Sequence, residues 1–309
     1  MVHIELVGAD DLTVLFERDV HFQRIAEAAP EVHILRTVKG RPFRRSGSVQ
    51  RRAEQRHIVG VDLLSAQAGF VTVEHRAIAA KNVNTHNAGP RLPHPTQQRS
   101  QSGVDAIRQA GGQAQAVAAD LRDPTTPGVL FDAAEAAFGP VEILVNNATG
   151  WRQDTFRSEH VDRAGRVLER LSTDSATQVL EVDARGSALM IAEFARRHIA
   201  RAATWGRIIG LTSGGPLGFP EEVSYGAAKA ALVNYAMSAA LELAEYGITS
   251  NVVYPPVTDT GWVTPAVRDF VAASREHMHV AQPEDVADVI AYLASDQARL
   301  ITANVLYLR

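Results

Sequence analysis

The chain has 309 residues, 46% hydrophobic and 21% charged, with a formal net charge of −4 and no cysteine. That balance excludes wholesale disorder and a surface built to coat nucleic acid or an anionic membrane, and the missing thiols exclude disulfides, zinc–thiolate sites and iron–sulfur clusters. No apolar run reaches the ~18 residues of a membrane helix, and MVHIELVGADD has no basic stretch ahead of an apolar one, so a cytoplasmic protein without a secretory leader is expected.

Two compositions are joined. The first hundred residues are irregular: 2–7, 12–29 and 32–38 offer a small strand–helix–strand unit. Residues 36–56 carry eight Lys/Arg against one acid, a pattern open to an anion-binding patch or a solvated linker. Near-absence of aromatics there favours the linker. Residues 82–102, rich in Asn, Pro, Gln and Ser, read as loop. From residue 103 onward strand-like and helix-like segments alternate. Residues 104–112 close a helix at Gly111-Gly112, and 114–119 form a short strand ending at Asp120. Residues 127–138 form a helix with Pro127 at its start and Gly139 past its end. The run VEILV (141–145) is a continuous apolar strand, the pattern of a parallel sheet covered on both faces. A long helix over 175–203, a strand over 207–211, a helix over 223–246 closed by Gly247 and a strand over 249–254 follow. A helix over 283–294 opens at Pro283 and aligns Val286, Ile290 and Leu293 on one face, and 304–308 form a last strand. This alternation predicts an α/β fold, a Rossmann-type doubly wound parallel sheet with an irregular N-terminal extension. The extension is expected over 1–65 and the dinucleotide-binding and catalytic domain over 66–309.

The chemistry concentrates in RIIGLTSGGPLGFPEEVSYGAAK, residues 207–229. A buried strand delivers Ser213 at its C-terminal end. A Gly/Pro-rich loop follows, then a helix whose first turn carries Tyr225, with Lys229 four residues on. That spacing puts phenol and ammonium on one helix face. A nearby ammonium favours phenolate, so Lys229 is expected to lower the Tyr225 pKa toward neutrality. Ser213 is placed to hydrogen-bond a substrate carbonyl at the sheet's carboxyl edge, where such folds bind ligands. Asn146-Asn147-Ala148 follows the strand VEILV at the same edge.

These features together resemble the short-chain dehydrogenase/reductase family. The resemblance covers roughly 102–302: AVAADL, LVNNATG, the Ser/Tyr/Lys set, NVVYPPVTDTGW and PEDVADVIAYLASDQARLIT occur in the family's order. Within the family the chain looks most like carbonyl reductases of the 3-oxoacyl-carrier-protein reductase type. The resemblance implies an NAD(P)-dependent oxidoreductase that reduces a carbonyl or oxidises a secondary alcohol. NADP or NAD would serve as cofactor. Tyr225 would be the general acid, Lys229 would tune it and hold the nicotinamide ribose, and Ser213 would orient the carbonyl. Asp120 would lie against the adenine, Asn146 and Ala148 would line the cofactor cleft, and Thr260 would meet the carboxamide or pyrophosphate. A homodimer or homotetramer acting on a small-molecule carbonyl or alcohol is implied, with no nucleic acid or membrane partner.

Several residues depart from the family pattern. Asp183 stands in the long helix where the family has Asn, which supports a water in the proton relay; Asp accepts the same bonds but adds a charge. Pro255-Pro256 replaces Pro-Gly and removes a backbone N–H near the cofactor. The Thr-Gly-x-x-x-Gly-x-Gly turn after the first strand is absent. Two segments compete for its place: 70–72 as strand end with 76–80 as early helix, or 4–8 as strand with a helix from Leu12. The alternatives to an active enzyme are a cofactor-deficient binding or structural protein of this fold and an inactive chain with an aberrant N-terminus. Trp151 and the segment 261–265 after Thr260 suggest a partly apolar substrate pocket.

Overall fold

The computed structural model describes residues 58–61, 76–82, 103–109, 111–158, 161, 167–215 and 217–309. The basic stretch, the strand–helix–strand unit expected over 2–38 and the loop expected over 83–102 lie outside the described residues. The compact unit runs from Arg56 to Arg309.

Its centre is a seven-stranded sheet. In chain order the strands are β1 (Ile58–Val61), β2 (Arg76–Asn82), β3 (Gln113–Ala119), β4 (Ile143–Asn146), β7 (Gly206–Leu211), β8 (Ile248–Tyr254) and β9 (Asn304–Tyr307). The small pair β5 (Asp154–Thr155) and β6 (Glu169–Arg170) stands apart from it. The sheet order is β3-β2-β1-β4-β7-β8-β9, and every pairing is parallel. The chain winds outward one way from β1 through β3, then the other way from β4 through β9. The reversal falls between β1 and β4, and beyond the carboxyl ends of the strands at such a point lies the usual ligand position of these sheets. Val61, Ala80 and Asn146 lie in register across that edge.

Alternate residues of the central strands feed two cores. Leu144 and Ile208 join Leu130, Phe131, Val182, Met190 and Phe194 on one face. Ile143, Val145, Ile209 and Val253 meet Val286, Ile290 and Leu293 on the other. Burial on both faces explains why β4 reads as an unbroken apolar run rather than an alternating one.

Helices connect the strands. The described part of α1, residues 103–109, ends where Gly111 adopts a φ of 86°. Helix α2 is Thr126–Phe138, closed by Gly139 at φ 89°. The long helix α3 runs from Thr173 to Ala200, and its middle turn, Leu180–Gly186, widens to π geometry. Helix α4 is Val223–Glu242, followed by a 3-10 turn, Ala244–Tyr246, and Gly247 in the left-handed region. Helix α5 (Pro265–Ala273) lies where the sequence suggested only a pocket segment, and α6 is Pro283–Ala294.

The N-terminal half of the sheet corrects the sequence reading. Residues 76–80, expected as the opening of a helix in one placement, are the body of β2. Alanine-rich apolar runs of this length fit either a helix or a buried strand, and pairing with β1 and β3 decides for strand. The first strand of the sheet is Ile58–Val61, which neither placement used. It lies ahead of the boundary expected at residue 66.

Candidate active site

Strand β7 ends at Leu211, and the chain continues along the sheet edge through Thr212, whose N–H donates to the Val253 carbonyl at 3.0 Å. The Thr212 hydroxyl donates to the Lys229 carbonyl at 3.2 Å, which ties the strand end to α4. Gly214 then takes a φ of 83°, and the loop folds back over the start of α4. A Cβ at Gly226 would sit 2.6 Å from the Phe219 Cβ, so only glycine lets the loop pass there. The Phe219 ring lies 6.0 Å from that of Tyr225.

Helix α4 has no N-terminal side-chain cap of its own. Asp154, fully buried, supplies one from β5. Its carboxylate accepts from the Ser224 N–H at 2.9 Å, from the Ser224 hydroxyl, and from the Ser175 hydroxyl at 3.0 Å. Sequence reasoning missed this residue. The available signal was a long helix starting at Glu222-Val223 without a Ser, Thr, Asp or Asn ahead of it, so that a cap had to come from elsewhere.

The structure brings Ser213, Tyr225, Lys229 and Asp183 together. The Ser213 hydroxyl and the Tyr225 phenol lie close enough to share a hydrogen bond. The Lys229 ammonium lies 5.5 Å from the centre of the Tyr225 ring. Lys229 and Asp183 are both buried, and Lys229 Nζ meets Asp183 Oδ1 at 3.0 Å. The other carboxylate oxygen accepts the Gly150 N–H at 2.7 Å, and Gln178 donates to the Gly150 carbonyl at 3.1 Å. Asp183 thus fastens the loop after β4 to α4, from the widened turn of α3. Such π turns recur at functional sites because they displace a side chain from the regular helical ladder.

The electrostatics correct one expectation. Burial pushes the Tyr225 pKa up; the Lys229 ammonium pulls it down, Asp183 and Glu222 push it further up, and the Ser213 hydrogen bond lowers it. The net result is a phenol above its ordinary value of 10.0, not one brought toward neutrality. The reason is desolvation together with the carboxylate facing the ammonium.

The remaining expected residues are placed as follows. Asn146 ends β4, buried, and its side-chain amide donates to the Ser187 carbonyl at 3.3 Å. Ala148 is buried in the core beneath the crevice. Thr260 lies half-buried in the loop beyond β8, its N–H donating to the Thr258 carbonyl at 3.1 Å. Asp120 follows the edge strand β3, and its carboxylate is gripped by the Arg122 guanidinium at 2.6 Å, which holds its pKa below the usual range. It is not brought together with the Tyr225 group. Trp151 lies at the end of the loop after β4, half exposed, its indole N–H donating to Glu222 at 2.8 Å. Arg157 pairs with Glu221, a residue at φ 71° just ahead of α4.

Comparison with known proteins agrees with this arrangement. The family pattern described as enoyl-(acyl carrier protein) reductase matches residues 55–308. A cis-4-hydroxycyclohexanecarboxylate dehydrogenase of Sinomonas cyclohexanicum is 36% identical over 205 residues, 65% of this chain and 77% of its own length. The 3-oxoacyl-[acyl-carrier-protein] reductase of Escherichia coli is 30% identical over 213 residues, 67% of this chain and 82% of its own. A Serratia marcescens short-chain dehydrogenase/reductase variant superposes with a TM-score of 0.63 at 22% identity, covering 82% of this chain and 96% of that one. The chain belongs to the short-chain dehydrogenase/reductase family of oxidoreductases.

Proposed function

We propose that the chain uses NADPH or NADH to reduce a carbonyl on a small molecule, or runs the reverse oxidation of a secondary alcohol, with Ser213, Tyr225 and Lys229 as its catalytic set. The observation that carries this reading is the convergence of those three side chains at the carboxyl edge of the sheet, the Ser213 hydroxyl bonded to the Tyr225 phenol. When bound, the nicotinamide supplies the hydride. Ser213 orients the carbonyl oxygen of the substrate by hydrogen bonding. Tyr225, protonated well past neutral pH, donates its proton to that oxygen. Lys229, from the next turn of α4, holds the nicotinamide ribose. Asn146, Ala148 and Thr260 line the crevice, and Asp120 stands beyond its adenine end.

What supports the nicotinamide end is the grouping of a buried ammonium, a phenol and a serine hydroxyl near the carboxyl edge of the sheet. Between β1 and β2 the sequence of residues 62–75, outside the described residues, holds one glycine, Gly69, where the family has a glycine-rich turn. That single glycine favours the second reading, a chain of this fold with weak or lost cofactor binding. For cofactor choice, residues 80–90 from the end of β2 include Lys81 and no Asp or Glu. A carboxylate there would bind the ribose hydroxyls of NAD, so its absence favours NADP. The relatives' substrates point to a cyclic keto acid or a 3-oxoacyl thioester as first probes. No described helix is long and apolar enough to cross a membrane. A homodimer or homotetramer is proposed through the outer faces of α3 and α4.

The test is carbonyl-dependent oxidation of NADPH with those probes. Tyr225→Phe is expected to lower kcat/KM by about 10² or more, the scale of general acid–base groups. Turnover unchanged in Tyr225→Phe removes Tyr225 as proton donor.

A further inference from the structure

Lys229 is not left alone with Tyr225. Two buried charges of opposite sign, on α4 and on the widened turn of α3, stand 3.0 Å apart behind the phenol. Water does not screen them, because Asp183 is completely buried and Lys229 nearly so. The second oxygen of the Asp183 carboxylate is fixed by the Gly150 N–H at 2.7 Å, so the group cannot swing away from the ammonium without losing a buried bond. We propose that Asp183 is a resident counter-ion that cancels the charge of Lys229 and so keeps Tyr225 in its proton-donating form, favouring carbonyl reduction over alcohol oxidation across the neutral range.

Asp183 is in this account a positioning residue, acting on Tyr225 through Lys229. The consequence for reduction rests on Tyr225 being the proton donor; the electrostatic coupling does not. Among the described residues, the charged groups acting on the phenol are Lys229 from α4, Glu222 immediately ahead of it, and Asp183 from α3. Asp154, at the start of the same helix, is taken up by Ser224 and Ser175. Among the described residues of the loop after β7, the Ser213 hydroxyl and the Phe219 ring face the phenol. A neutral ammonium–carboxylate pair leaves burial and Glu222 to raise the phenol. An unpaired ammonium would oppose both.

The test is a spectrophotometric titration of tyrosine in the protein without dinucleotide or substrate. The Tyr225 step is assigned by subtracting the same titration of Tyr225→Phe. In Asp183→Asn, which keeps the shape and removes the charge, the step is expected to move to lower pH; Asp183→Ser gives the same direction. A step that stays in place or moves to higher pH in a folded neutral variant overturns the proposal. If neither single variant folds, the double variant Asp183→Asn/Lys229→Met removes both charges together. Its Tyr225 step is expected at the position of the unaltered protein, and a step clearly above that position overturns the proposal. Because no turnover is needed, a moved step in an inactive protein keeps this inference and defeats the proposed enzymatic function instead.

Discussion

On the proposed reading, Tyr225 sets the chemistry at the scale of single residues, and its surroundings decide which direction is easy. A phenol raised by burial and by Asp183 remains a proton donor throughout neutral pH. Carbonyl reduction is therefore expected to be flat with pH through neutrality, while alcohol oxidation, which needs phenolate, climbs as the pH approaches and passes 10.0, the phenol's ordinary value. In Tyr225→Phe the loss of about two decades falls on both directions, since the same oxygen gives and takes the proton. A pH–rate profile of oxidation with its midpoint below neutral pH contradicts this account of the site. The proximity of Ser213, Tyr225 and Lys229 was legible in the sequence because strand end, glycine loop and one helical turn are all local. The cancelling role of Asp183 was not. Its identity stood out, but the 3.0 Å approach to Lys229 joins two helices distant in the chain.

Elements show the same division between local and distant. Helix α4 could be read from its own pattern, and its Gly247 stop marks the end of the following 3-10 turn. Its start could not, because the cap comes from Asp154, 70 residues upstream of Ser224. Asp154→Ala removes that cap and leaves two serine hydroxyls and an N–H without their buried acceptor. A loss of about 2 kcal/mol in stability is expected, from the cap and the orphaned donors together. Urea denaturation checks it, and an unchanged midpoint shows that the Asp154 bonds contribute nothing to the start of α4. The first two strands failed for a different reason. IVGV and RAIAAKN are short, and neither carries alternation or turn residues that distinguish a buried strand from a helix. Sheet pairing alone identifies them, and pairing is not visible in one sequence. Once β1 ends at Val61, the turn expected to cradle a pyrophosphate falls within residues 62–75 with their single glycine.

For the whole molecule, the doubly wound parallel sheet was legible from the alternation after residue 103, though not its strand order. Strand and helix boundaries there moved by only a few residues, and α6 matches its expected limits. The outer face of α4 is almost free of charge: Ala227, Ala230, Asn234, Ser238 and Leu241 are exposed along it. A monomer has little reason to present four turns of small and apolar residues to water, whereas a twofold helix pair buries them. Sedimentation velocity is expected to give a species of at least twice the 33.4 kDa of the chain, shifting to monomer in Ala230→Arg. A monomer at micromolar concentration overturns the assembly.

The central claim is that the crevice beside Ser213, Tyr225 and Lys229 receives a nicotinamide dinucleotide. The sequence between β1 and β2 lacks the glycines that would expose backbone amides to a pyrophosphate. Losing two or three charge-assisted hydrogen bonds at roughly 1.5–3 kcal/mol each weakens binding by about 10²-fold or more. The direct measurement is a titration of the purified protein with NADPH and NADH, followed by nicotinamide fluorescence. The account predicts saturable binding, weaker than the micromolar range, tighter for NADPH than for NADH, and lost in Lys229→Met. No saturable signal at millimolar dinucleotide contradicts it and leaves a chain that keeps the oxidoreductase fold without the cofactor.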